Sequence, residues 1–147
     1  MVNNRPKSLD APIVRQMICL EAKAYLRCDQ WRAKYRYTLI NEFRQSITRA
    51  KNEVITAFEL HGKFREEKLY HYSLAQSALT ITESNMDIMI MNDFGVISEK
   101  EWAEFAAMIY DIRGGLSRLV KSLAKSAGGS ESPELAMGSA SASYKDA

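Results

Sequence analysis

Little in this chain announces chemistry. There are two histidines, two cysteines, three prolines and seven glycines in 147 residues. His61 and His71 fall on different expected helices, so no pair of ligand-spaced histidines exists. Glu67 with His71, one helical turn apart, is the best metal-like fragment. A di-metal bundle site needs inward Glu-x-x-His units on two helices plus further carboxylates, so Glu67 and His71 read as a surface helix pair. Cys19 and Cys28 form neither a CxxC pair nor a metal spacing, and are expected as reduced thiols at or near the core. No glycine-rich phosphate loop is present, since "RGGL" places its two glycines inside a helix. No nucleophile has a candidate base and orienter beside it. Enzymatic chemistry is therefore not expected, and neither is any metal or other cofactor.

Two further absences bound the fold. No apolar run reaches the ~18 residues that a membrane span needs, and "MVNNRPKSLDAP" has no apolar core of a secretory signal. No membrane association and a cytoplasmic location are expected. No segment alternates apolar and polar residues, which argues against strands.

What is present is helical periodicity. In "ISEKEWAEFAAMIYDIRGGLSRLVKSL", Trp102, Phe105, Ile109, Ile112, Leu116, Leu119 and Leu123 keep one stripe through about six turns. Ser98 with Glu101 has the form of a capping box, predicting a helix over 99–125. Leu39, Phe43, Ile47, Ala50, Val54, Ala57 and Phe58 make a second stripe, with Thr38 as its cap and Gly62 as its stop. A third helix over 65–92 carries Leu69, Tyr72, Leu79, Met86 and Ile90, and ends at a left-handed Gly95. Met86, Met89 and Met91 fit either an irregular core or the lining of a partner groove. The first helix, over 12–27, starts with Pro12 and turns Ile13, Met17, Leu20 and Ala24 inward.

Short links force neighbouring helices to run oppositely, so the expected fold is all-α, an antiparallel up-down four-helix bundle over residues 11–125. Residues 1–10 form an N-terminal extension. Residues 126–147, rich in Ser, Gly and Ala, are expected to be a disordered tail.

Charge is small in total, +2, but unevenly placed. Residues 1–51 hold eleven Lys/Arg against four Asp/Glu, whereas 83–111 hold seven Asp/Glu and one Lys. Such a chain can meet a polyanion with one face. The basic residues concentrate in "WRAKYRYTLINEFRQSITRAKNEV". Arg32, Lys34 and Arg36 stand in the link between the first two helices, beside Trp31, Tyr35 and Tyr37. Cations interleaved with aromatic faces suit a phosphate backbone and stacked bases. The same residues also suit a solvated helix start whose aromatics staple it to the core. Arg44 and Lys51 share one flank of the second helix, and Arg49 lies about 140° around from Arg44. Arg118 and Lys121 add positive charge to the last helix. Gly114 and Gly115, each costing about 1 kcal/mol against alanine in a helix, point to a close approach. Either another helix of the same bundle or a second subunit would provide it.

"YRYTLINEFRQSI", "LYHYSLAQSALTITESNMDIMIMNDFGVISEKEW" and "IYDIRGGLSRLVKSL" together resemble the four-helix-bundle superfamily of the accessory variability determinant (Avd) of diversity-generating retroelements. The shared pattern is a basic-aromatic loop before a Thr-Leu helix start, a Gly-containing turn before "IS", and a Gly-Gly patch in the fourth helix. It spans about residues 11–125. A sister branch, encoded in intervening sequences of 23S ribosomal RNA, carries Asn-Ile-Ala-Glu-Gly in helix two, where this chain reads "TRAKNEVITAFEL". The resemblance implies a non-enzymatic subunit of a pentameric homo-oligomer. It also implies binding to template RNA or cDNA and to a reverse transcriptase, in support of mutagenic retrohoming. The alternative is a four-helix protein–protein interaction module with no nucleic-acid role.

Overall fold

Four amphipathic sequences become four α-helices. The structure, a computed structural model, describes residues 10–60, 62–91 and 94–127. The helices are α1 (Pro12–Cys28), α2 (Asn41–Glu59), α3 (Arg65–Ile90) and α4 (Glu99–Ala127). A 3-10 turn (Ala33–Tyr35) and a π-helical turn (Arg36–Ile40) lead into α2, and a 3-10 turn (Gly62–Phe64) leads into α3. Among the described residues there is no strand, and the arrangement is that of a four-helix bundle around one core. The expected N-terminal extension (apart from Asp10) and the tail beyond Ala127 lie outside the described residues, as does His61.

The ends obey local chemistry with two revisions. Glu101 N–H donates to Ser98 Oγ at 3.1 Å and Ser98 N–H donates to Glu101 Oε1 at 3.3 Å, which is the expected capping box. Gly95 takes the expected positive φ, 51°. Thr38, however, is not a cap. The helical path already begins at Arg36, and the Thr38 hydroxyl donates backward to the Tyr35 carbonyl at 3.3 Å. Nor does Gly62 stop α2, which ends at Glu59 with Leu60 in extended backbone. The open carbonyls there are taken by Lys68, whose Nζ donates to Ala57 O at 2.6 Å and Leu60 O at 3.0 Å. Burial holds the Lys68 ammonium below its ordinary pKa.

Ile13, Met17, Leu20 and Ala24 of α1, and Phe43, Ile47, Ala50, Val54 and Ala57 of α2, are buried as their spacing requires. Along α4 the buried line drifts: Phe105, Ile109, Ile112 and Leu116 are interior, but Val120 and Ala124 then replace Leu119 and Leu123. A strict 3-4 alternation repeats every 3.5 residues and a straight helix every 3.6, so the stripe slips about 20° per heptad. Met86 and Met89 fill the core, whereas Met91 is exposed. Cys28 is buried, but Cys19 faces solvent, not the core.

Polar side-chain pairs cross every seam, two of them between α1 and α4, where Arg27 lies 3.8 Å from Glu101 in addition to the Lys23–Glu104 pair. Lys51–Glu21 (2.8 Å) joins α2 to α1 and His71–Glu53 (2.6 Å) joins α3 to α2. Arg113–Glu83 (2.8 Å) joins α4 to α3, and Lys23–Glu104 (3.2 Å) closes α1 on α4. His71 therefore pairs across the α2–α3 seam and not with Glu67 of its own helix. Ser46 and Thr82, both buried, share a hydroxyl contact of 2.6 Å between α2 and α3.

Candidate nucleic-acid interface

The α1–α2 link is held down by its aromatics. Trp31 is only 7% exposed. Its ring packs edge-on against Phe43 and Phe105, with centroids 5.6 and 6.1 Å away, and its Nε1 donates to Glu101 Oε2 at 3.1 Å. Aromatic pairs of this geometry contribute about 0.5–1.5 kcal/mol each beyond area burial. Burial against these rings, with the indole N–H taken, removes Trp31 from the residues open to a base. Tyr35 is half-buried, its ring set edge-on to Phe94 at 5.6 Å. Tyr37 is the open one, 87% exposed. Pinning Trp31 and Tyr35 inward leaves the intervening Arg32 and Lys34 pointing out. Both are exposed and neither makes an ion pair among the described residues; Lys34 Nζ lies 5.5 Å from the Tyr35 ring centre. Arg36 sits in the π-helical turn, and its side chain lies outside the described residues.

The α2 cations divide differently from expectation. Arg44 and Lys51 do share a flank, but that flank is the α1–α2 seam. Arg44 lies over the Tyr25 ring at 5.0 Å and donates to Asn41 Oδ1 at 3.4 Å, while Lys51 is spent on Glu21. Arg49 is exposed on its own. On α4, Arg118 and Lys121 are exposed. They lie far from the link: α4 meets the end of α1 through Glu104 and Lys23, and the start of α1 through Gly115 and Ile13. The helix between those contacts spans about 1.5 Å per residue. Arg32 and Lys34 share the link with the exposed Tyr37; Arg118 and Lys121 belong to the opposite end.

Gly115 answers the close-approach question within one chain. A Cβ there would stand 3.1 Å from Ile13 Cδ1, so α1 crosses α4 at this point, whereas at Gly114 nothing lies nearer than Arg118 Nη1 at 3.5 Å. The acidic stretch is also less available than its charge suggests. Glu101 and Asp87 accept from the indoles of Trp31 and Trp102, and Glu83 and Glu104 hold Arg113 and Lys23. The hydrogen bond from Lys23 holds the Glu104 carboxyl below its ordinary pKa. Neither Glu101 nor Phe94 is expected from sequence as a partner that fixes the link. Glu101 had a signal in the capping box; Phe94 had none.

No histidine, cysteine or carboxylate group of metal-binding size occurs among the described residues, and no described helix is long and apolar enough to cross a membrane. No family model matches the chain, and no curated protein matches it.

Proposed function

We propose that the chain is a non-enzymatic accessory subunit that binds template RNA or cDNA together with a reverse transcriptase, as do the diversity-generating-retroelement proteins it resembles. One observation carries the reading. Arg32 and Lys34 are presented outward in the same link as the exposed Tyr37, with no ion pair among the described residues, while their aromatic neighbours anchor the link to α2 and α4. A rigidly mounted pair of cations next to an open ring suits a phosphate and its base. Arg49, Arg118 and Lys121 are secondary contacts, and Arg44 and Lys51 keep structural duties.

The finer architecture belongs to the same reading. Glu21 with Lys51 and Tyr25 with Arg44, Ser46 with Thr82 and Glu53 with His71, Lys23 with Glu104 and Ile13 with Gly115 all pair rising numbers on one helix with falling numbers on the next. Those contacts support an antiparallel up-down bundle. Because the basic groups sit at opposite ends of α1, a single copy offers two small patches. Homo-oligomerisation, as a pentamer by resemblance, would multiply each through effective concentration. Action in the cytoplasm, where transcript and polymerase meet, completes the reading.

A protein-only interaction module is the second reading, favoured by Leu26 and Tyr110, which are 72% and 78% exposed. Binding of the purified full chain to structured RNA at 50–200 mM salt separates the two. Neutralising about six phosphates requires affinity to fall on the order of a thousandfold over that range. A flat profile, or no binding at low salt, overturns the nucleic-acid reading.

A further inference from the structure

Along α4 the charges change sign at the glycines. Glu104, Asp111, Arg118 and Lys125 are seven residues apart and so follow one flank of the helix, acidic before Gly114 and basic after it. The last three make no ion pair among the described residues, whereas Glu104 holds Lys23 at 3.2 Å. Beside that flank Tyr110 stands 78% exposed, and one turn on Gly114 leaves the backbone bare, so a ring projects next to a hollow. The hollow is a cleft of about 510 Å³, walled by Gln16 of α1 and by Gln76 and Glu83 of α3. It offers a small molecule few handles. Gln76 keeps its Nε2 on the Arg113 carbonyl at 3.3 Å and its Oε1 buried out of reach, and Arg113 is committed to Thr80 Oγ1 at 3.0 Å and Glu83 Oε1 at 2.8 Å. Gly115 is accounted for by Ile13 of α1; the helix cost of Gly114, which lines the cleft, is accounted for by no helix of the chain.

We propose that this face of α4 docks on the same face of a second copy, the two helices antiparallel about a two-fold axis near residue 112. The occupant follows from the charge order. A two-fold contact sets a patch against itself reversed, so the acidic half of one flank meets the basic half of the other, whereas a parallel partner sets like charge on like. Arg118 leans back a full turn, its Nη1 3.5 Å from where a Gly114 Cβ would stand, which brings its charge to the level of Gly114. About an axis near residue 112 that level faces residue 110 of the second copy. Arg118 then meets Asp111 there, and Tyr110 drops onto Gly114. Lys125, leaning likewise, reaches Glu104. Each contact occurs twice. A second copy accounts for the hollow, the exposed ring and the charge order together; a nucleic-acid strand accounts only for the cations, and would meet the carboxylates of Asp111 and Glu83 in the same place. The pairing goes beyond the RNA reading and does not rest on it. A closed ring of five cannot supply it, because neighbours in such a ring meet head to tail. Two-fold pairing joins single chains, or whole rings, in twos.

Sedimentation equilibrium of the full chain without RNA, at about 50 and about 500 mM salt, reads the association; even-numbered species are expected, weaker at the higher salt. Asp111→Arg and Arg118→Asp should each weaken association about tenfold, since each removes a charge pair on both sides of the axis, and the double variant should return to within about threefold of the parent. A fold damaged by either change alone would not be rescued by adding the other. Orientation is read by spin labels on a Cys19→Ala background, Cys28 being buried. Lys100→Cys and Ser122→Cys place labels on exposed positions near opposite ends of α4. Mixed, the two labelled proteins should couple within about 15 Å, whereas Ser122→Cys alone should couple at about 30 Å, roughly twenty residues of helix at 1.5 Å each. A chain that stays monomeric at on the order of 100 µM or only five-membered overturns the proposal. So do single variants without effect, losses that the double variant does not rescue, or Ser122 labels closer to each other than to Lys100 labels. Arg32→Glu with Lys34→Glu leaves the pairing intact, so failure of RNA binding at the link and failure of the α4 contact are read separately.

Discussion

The indole of Trp31 donates to the carboxylate of Glu101 at 3.1 Å, across seventy positions of sequence. The same carboxylate group caps α4 through Ser98, so the link between the first two helices and the start of the last are one structural joint. Trp31→Ala should cost about 3–5 kcal/mol, the usual price of emptying an aromatic core site. Trp31→Phe keeps the edge contacts with Phe43 and Phe105 and loses only the hydrogen bond, for about 1–2 kcal/mol. Urea denaturation measures both. If Trp31 serves packing and not base stacking, the Phe variant binds RNA as the parent does.

Arg32 and Lys34 make the opposite prediction. Being exposed and without an ion pair among the described residues, they contribute little to folding, so Arg32→Glu with Lys34→Glu should move stability by no more than about 0.5 kcal/mol per site. RNA affinity at low salt should drop steeply, and replacing the cations should flatten the slope of log affinity against log salt by about one per lost phosphate contact. Lys51→Ala should do the reverse, since its partner Glu21 is left half-buried without a counter-charge.

Burial pushes the Cys28 thiol up to about 11 from 9.0, the Arg44 charge opposing and Asp29 reinforcing the shift. The folded chain therefore holds this proton more tightly than the unfolded one. The corresponding stability is complete below about pH 9 and is lost as pH rises through 11. Cys28→Ala should flatten that part of the alkaline decline in a pH series of melting temperatures. With a thiol reagent at pH 8, the exposed Cys19 should react in the folded protein and Cys28 only on unfolding.

Periodicity carried the helices, because a buried stripe and a capping box are local properties of consecutive residues. The 3-4 spacing placed Phe105, Ile109, Ile112 and Leu116 inside, and lost the register only where the period mismatch accumulated, at Val120 and Ala124. The link resisted the same reading. Trp31, Tyr35 and Tyr37 look equivalent as letters, yet Trp31 points to Glu101 and Phe105, Tyr35 to Phe94, and Tyr37 to solvent. Those partners lie about sixty to seventy positions away, where no spacing rule reaches. Arg44 and Lys51 were legible as one flank, but which helix covers that flank is a tertiary fact. The orphaned Gln76 oxygen is likewise visible only once α3 and α4 are packed.

The two glycines of α4 separate packing from propensity. Alanine at either position gains about 1 kcal/mol of helix propensity over glycine. At Gly114 the new methyl meets only the end of Arg118, at 3.5 Å, so Gly114→Ala should realise most of that gain. At Gly115 it lies 3.1 Å from Cδ1 of Ile13, a side chain 5% exposed and hemmed by the core. Ile13 must give by a few tenths of an ångström, and a packed neighbour gives at a cost comparable with the propensity gain. Gly115→Ala should therefore be neutral or destabilising, leaving the two variants apart by on the order of 1 kcal/mol in denaturant midpoints. Ile13→Val shortens the obstructing arm and should restore the gain at Gly115 without altering that at Gly114. Equal stabilisation at both positions would mean that α1 does not press on Gly115, and the close approach at this glycine would then have to come from another copy of the chain.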